Sequence, residues 1–215
     1  MSVDQAIRRL LKPAIFLLCV LPLARLLAGA FGLAGVSLGA NPVDTVLDTC
    51  GKWTLNLLLI TLCVTPLRDI TRVNPLIRVR RMLGLFAFTY AVLHFTTYLV
   101  LDLRLDFAGL GADIAKRPYI TVGFTALLLL IPLAVTSTNR MMRRLGRRWQ
   151  KLHRLVYVIA MLGVLHYYWQ VKADVREPLV YAAILAVLLG YRAWKGASRA
   201  RSARTVPAAS RAEGA

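Results

Sequence analysis

Acid is scarce in this chain. Ten Asp and Glu stand against 28 Lys and Arg in 215 residues, a formal net charge of +18. The few carboxylates form no pair suited to general acid and base work, and neither a phosphate-binding loop nor a nucleophile elbow is present. Hydrolytic chemistry therefore has no candidate site. Cysteine is equally sparse. Cys19, Cys50 and Cys63 are odd in number and lack metal-ligand spacing, so they read as small apolar residues in hydrophobic helices. The absence of Cys-x-x-Cys-His excludes covalent attachment of a porphyrin. No internal repeat is evident. Histidine occurs three times only, at His94, His153 and His166.

What the chain has in quantity is apolar sequence. It is 58% hydrophobic and 18% charged, which is the composition of a membrane protein. The apolar residues lie in six blocks, at Pro13 to Phe31, Leu47 to Leu67, Met82 to Leu101, Tyr119 to Thr136, Leu152 to Val171 and Pro178 to Trp194. Each approaches the ~20 residues that cross a bilayer core as helix. Lipid offers the backbone no hydrogen-bond partners, so the expected fold is all-α, a six-helix transmembrane bundle. Arginine concentrates in alternate connections: Arg68, Arg72, Arg78, Arg80 and Arg81 in one, Arg140 to Lys151 in another. By the positive-inside rule these loops and both termini face the cytoplasm. The expected organisation is a cytoplasmic N-terminus over 1–12, a transmembrane domain over 13–194 and a disordered basic tail over 195–215. The basic charge then reflects topology and attraction to anionic membrane lipid, with no role for nucleic acid. Arg8-Arg9 ahead of an apolar run ending Ala28-Gly29-Ala30 imitates an export signal, and an uncleaved first helix is the expectation.

The histidines carry the functional signal, because an ionisable group inside a span is costly and calls for a partner. His94 lies thirteen residues past Arg81, about 20 Å along its helix, and His166 twelve past Arg154, about 18 Å. The two imidazoles are thus expected at one level in the outer half of the membrane, with His153 about 20 Å below, near the cytoplasm. Two imidazoles at one depth on two helices suit axial ligation of a haem iron from opposite faces. The competing readings are a plain hydrogen bond to a helix carbonyl, a zinc site and the proton relay of a transporter. On an ideal helix His153 and His166 would lie about 140° apart, so a bulge or kink near Gly163 is expected if they share a face. Arg80 and Arg81 are candidates for a haem propionate or flavin phosphate, and Arg25 for a propionate or for snorkelling to the surface. Tyr167, Tyr168 and Trp169 read as an outer aromatic belt.

The six spans, His94 on the third and the His153-x12-His166 pair on the fifth resemble the ferric reductase-like transmembrane family, which includes NADPH oxidases and metalloreductases. The Arg80-Arg81 pair and the segment LGRRWQKLHRLVY, Leu145 to Tyr157, are similar to a short branch of it. That branch comprises the haem-binding membrane subunits of bacterial periplasmic methionine sulfoxide reductase systems. The resemblance implies a multi-pass protein of the bacterial inner membrane that holds b-type haem through His94 and His166, with His153 a further candidate for iron. It implies an electron-transfer subunit that takes electrons from the quinone pool or a flavin donor, FMN being associated with the family. The electrons go to a separate periplasmic molybdopterin-containing subunit, its heterodimer partner, which reduces methionine sulfoxide in oxidised proteins. Larger family members carry two histidines on each of the third and fifth helices, whereas here Arg80 stands fourteen residues before His94. A quinol-oxidising cytochrome or metalloreductase-like protein shares the haem expectation, and a proton-coupled transporter does not.

Overall fold

The computed structural model describes residues 3–171 and 173–205. Among them the regular structure is entirely helical. The chain enters through α1 (Val3–Ala6), a π turn at Ile7–Leu11 and α2 (Lys12–Ala30), then runs antiparallel through α3 (Pro42–Thr71) and α4 (Val79–Thr97), which continues as a second π turn, Tyr98–Asp102. A short helix α5 (Phe107–Lys116) leads to α6 (Pro118–Val135); α7 (Asn139–Leu145) and α8 (Arg147–Leu152) lead to α9 (Leu155–Gln170), and α10 (Arg176–Thr205) follows.

Local chemistry sets the helix starts. Proline at the first turn of α3 and α6 loses no hydrogen bond there and is pre-set to helical φ. The side chains of Asn41, Asp106 and Thr138 accept from the free backbone N–H groups of Asp44, Gly109 and Met141. In the Arg-rich connection, Gly146 turns the chain between α7 and α8 at φ 49°, where a Cβ would be strained.

Five helical segments are long and apolar enough to cross a bilayer: Arg9–Ala30, Pro42–Thr71, Asn74–Asp102, Pro118–Val135 and Arg176–Ser198. The expected fifth of six, α9, is shorter. Its 16 residues reach about 24 Å, because the chain turns at His153 and Arg154 between α8 and α9. That break also replaces the bulge expected near Gly163, where α9 is regular helix. His153 caps α8, so it and His166 do not share one helix, and the 140° separation does not arise. Beyond Trp194, α10 runs on to Thr205, over the first part of the expected tail; residues 206–215 lie outside those described.

The helices pack as two hairpins. α3 lies chiefly against α4, and α6 against α9, with α3 the most enclosed helix of the bundle. Leu57, Leu58 and Leu62 of α3, Ala87 and Tyr90 of α4, and Ile159 and Ala160 of α9 are buried in one common core. The Tyr90 hydroxyl donates to the Cys19 carbonyl at 2.7 Å and ties α4 to α2. Phe16, Leu17, Leu128 and Val187 are exposed on the outside, as expected where the solvent is lipid.

Candidate functional site

The hairpins bring His94 and His166 together and leave His153 elsewhere. The rings of His94 on α4 and His166 on α9 stand with centroids 6.1 Å apart and planes at 85°. Each is held from behind by the first helix of its own hairpin. His94 Nδ1 lies 2.9 Å from the carbonyl oxygen of Leu47 on α3, and His166 Nδ1 lies 2.7 Å from that of Tyr119 on α6. A carbonyl only accepts, so Nδ1 carries the proton in both rings and Nε2 keeps its lone pair. Metal-binding histidines are prepared in this way, the second nitrogen donating to a carbonyl that fixes tautomer and orientation.

One turn beyond each carbonyl stands a glycine, Gly51 on α3 and Gly123 on α6. A Cβ on Gly123 would lie 2.7 Å from His166 Nδ1 and 2.8 Å from its Cε1; one on Gly51 would lie 3.2 Å from Cε1 and Nδ1 of His94. These glycines let the rings lean against the facing helix. Gly163, expected to leave room for a flat ring, would meet only a Leu55 methyl at 3.4 Å and belongs to ordinary helix packing at the cavity wall.

The two halves of the site repeat in the sequence. Thr49-x-Gly51 recurs as Thr121-x-Gly123, and Val92-Leu93-His94 as Val164-Leu165-His166, each 72 residues further on. The residues whose carbonyls accept, Leu47 and Tyr119, obey the same offset. This corrects the expectation of no internal repeat. The hairpins are two copies of one device, running in the same sense, and they close on each other at the imidazoles.

Between them lies a cavity of about 320 Å³, walled by Leu55, Leu58, Ala91, Phe95, Phe124, Leu130 and Ile159 together with both histidines. Its size is that of a cofactor pocket. Polar groups collect at its mouth. Lys52 Nζ meets Asp48 at 3.2 Å and Glu177 at 3.0 Å; Arg117 Nε meets Asp113 at 3.1 Å, whose other oxygen accepts from the Tyr98 hydroxyl at 2.5 Å. Lys52 and Arg117 are the cations that line this cavity. Neither was among the candidates offered by the sequence.

The other expected site residues lie away from it. Arg81 donates to Asn139 Oδ1 at 2.5 Å on the surface. Arg80 lies beside the Tyr157 side chain, whose hydroxyl accepts from Arg192 at 2.9 Å. Arg192 stands over the Tyr157 ring and donates to the Leu62 carbonyl, and its Nε is buried without a partner. Arg25 is exposed, as a snorkelling residue would be. Tyr168 and Trp169 are also exposed, whereas Tyr167 lines the cavity and packs edge-on against Tyr181.

His153 presents the opposite arrangement to His94 and His166. Its ring stacks on Trp149 at 4.0 Å, and its Nε2 lies 3.1 Å from Thr136 Oγ1. The Thr136 hydroxyl donates to the Pro132 carbonyl at 2.6 Å, so its oxygen is left to accept, and Nε2 is the protonated nitrogen of His153.

Among the described residues no group of three or more His, Cys, Asp or Glu could hold a metal ion by itself. Two imidazoles alone therefore need a ligand that fills the remaining positions. In a bis-imidazole complex each nitrogen lies about 2 Å from the metal. With each ring centre roughly 1 Å behind its nitrogen, the centroids fall about 6 Å apart, which is the separation of His94 and His166. The residues present fit a haem.

Comparison with known proteins agrees with this chemistry. The family model described as ferric reductase like transmembrane component matches residues 50–164, more than half of the chain. The chain is 58% identical over 166 residues, 77% of its length and 76% of the relative's, to the protein-methionine-sulfoxide reductase heme-binding subunit MsrQ of Xanthomonas campestris pv. campestris (strain 8004). It is 54% identical over 189 residues, 86% of each chain, to the like-named protein of Ralstonia nicotianae (strain ATCC BAA-1114 / GMI1000). No solved structure matches.

Proposed function

As a member of the ferric reductase-like transmembrane family, and within it of the haem-binding MsrQ subunits, this chain is one for which we propose the role of a membrane b-type cytochrome. It passes electrons to a separate subunit that reduces methionine sulfoxide in proteins. The observation that carries the reading is the pair of imidazoles, each with Nδ1 donated to a helix carbonyl and Nε2 left to bind, at a separation that suits one iron between them.

His94 and His166 would hold the haem iron through their free Nε2 atoms. Bound there, haem supplies reversible one-electron transfer at its iron. The chain does the rest. The Leu47 and Tyr119 carbonyls hold the tautomers, the leucine and phenylalanine wall excludes water, and Lys52 and Arg117 offset propionate charge at the mouth. His153, with its Nε2 engaged by Thr136, holds the turn between α8 and α9 and does not ligate the outer iron. Arg80 and Arg81 belong to the cytoplasmic face, where a quinone or flavin donor delivers electrons.

The membrane is the bacterial inner membrane, and α9 joins the five longer helices as a sixth span, its ~24 Å completed by the turn at His153. The Arg-rich connections and both termini are cytoplasmic. The mouth of the cavity then opens outward, toward the partner, a molybdenum-containing subunit as the family resemblance implies.

Purified protein tests the reading. Acid acetone should extract a non-covalent haem, and a catalytic subunit that co-purifies with this chain should oxidise the reduced haem. A colourless preparation made with ample haem supply overturns the proposal. Cysteine labelling at Asp106 from outside and at Arg144 from inside checks the orientation.

A further inference from the structure

We propose that Gly51 and Gly123 are positioning residues that, with the carbonyls of Leu47 and Tyr119, hold the two axial imidazoles mutually perpendicular, Gly123 setting the His166 ring more stringently than Gly51 sets that of His94. The inference rests on His94 and His166 being the haem ligands. It adds what governs their rotation.

A histidine side chain turns freely about its outer bond unless something holds it. Here each ring is held at two points, in the same way. Nδ1 is tied to a carbonyl, which sets the direction of one edge, and the ring rests against a helix surface that has no Cβ at the place of contact. The carbonyl and the glycine are one turn apart on one helix, so they form a single seat into which only one ring orientation fits. Two such seats facing each other leave the ring planes at 85°.

The seats differ in tightness. At Gly51 an added methyl at 3.2 Å requires the ring to give by a few tenths of an ångström. At Gly123 the clash is 2.7 to 2.8 Å from ring atoms, and the ring must leave its place. Moving it stretches the 2.7 Å bond to Tyr119 and releases both orientation and tautomer. Loss of such a partner from a metal-bound histidine typically costs about 10–100-fold in affinity.

Ring orientation has a signature separate from activity. Perpendicular imidazoles leave the ferric iron orbitals nearly degenerate and give one strongly anisotropic low-spin resonance, whereas parallel rings give a rhombic three-line spectrum. The test is electron paramagnetic resonance and haem-to-protein ratio on the full chain, with Gly51→Ala, Gly123→Ala and, as a control, Gly84→Ala, whose added methyl would meet nothing within 4 Å. Wild type and Gly84→Ala should show the anisotropic signal. Gly51→Ala should keep its haem with the signal shifted, and Gly123→Ala should lose the signal to high-spin or rhombic species. A wild-type spectrum in Gly123→Ala, or a rhombic spectrum in wild type, overturns the inference and leaves haem binding intact. A wild type without haem overturns the reading beneath it. If Gly123→Ala does not accumulate, Gly123→Ala with His166→Gly, supplied with free imidazole, removes the ring that the methyl strikes. Recovery of folded low-spin protein supports the seat, and failure to recover overturns it.

Discussion

The His94–His166 end and the His153 end of this bundle each contain histidine beside a helix hydroxyl or carbonyl, yet they prepare it for opposite ends. At the first a carbonyl accepts from Nδ1, and Nε2 keeps its lone pair. At the second the Thr136 hydroxyl donates to Pro132, so its oxygen accepts from Nε2 of His153, and Trp149 covers the ring face. At the first the 72-residue repeat supplies a second histidine; at the second the residue at that offset from His153 is Arg81. The difference lies in the neighbours, since the side chain is the same.

The sharpest way to break this comparison is to remove each histidine in turn. His94→Ala and His166→Ala should each abolish bound haem, because these are the two histidines that line the cavity, while His153→Ala should retain it. Haem-to-protein ratio decides, and equal loss in all three would erase the distinction. A smaller effect is expected at the cavity mouth. Lys52→Met leaves Asp48 and Glu177 without their shared cation. These groups are partly exposed, so about 1 kcal/mol of stability is lost, read as a lower temperature for loss of the Soret band. Thr136→Val takes the acceptor from His153 and should cost about 1 kcal/mol in thermal unfolding while leaving the haem spectrum unchanged.

The membrane class and the pairing of His94 with His166 were legible in the sequence. Helix rise is constant, and the arginines that bound α4 and α9 mark where to begin counting. The seats were not. Gly51 and Gly123 look like any small residue in a span, and a backbone carbonyl has no sequence signature. The repeat that would have exposed them rests on a few positions, diluted by leucines that match by chance. The break at His153 also escaped notice, because no proline or glycine marks it and Gly163 was the more obvious hinge. Lys52 and Arg117 sit in connections whose charge resembles that of any loop, which conceals that they line the cavity. Arg192 lies at the end of the last apolar block, and nothing in that position signals that it reaches back to Tyr157 and Leu62.

The hairpin arrangement bears on how the protein matures. Each hairpin satisfies its own backbone and makes most of its contacts internally, so each is able to settle in the bilayer before the two meet. The join between them is thin and has the cavity in its middle. A cofactor bonded to one histidine from each hairpin acts as a rivet, and its binding free energy adds to the cohesion of the pair in proportion to the logarithm of its supply. Membranes short of haem should therefore hold inserted chains whose halves part readily, and proteases would distinguish them from the riveted form before any electron is transferred.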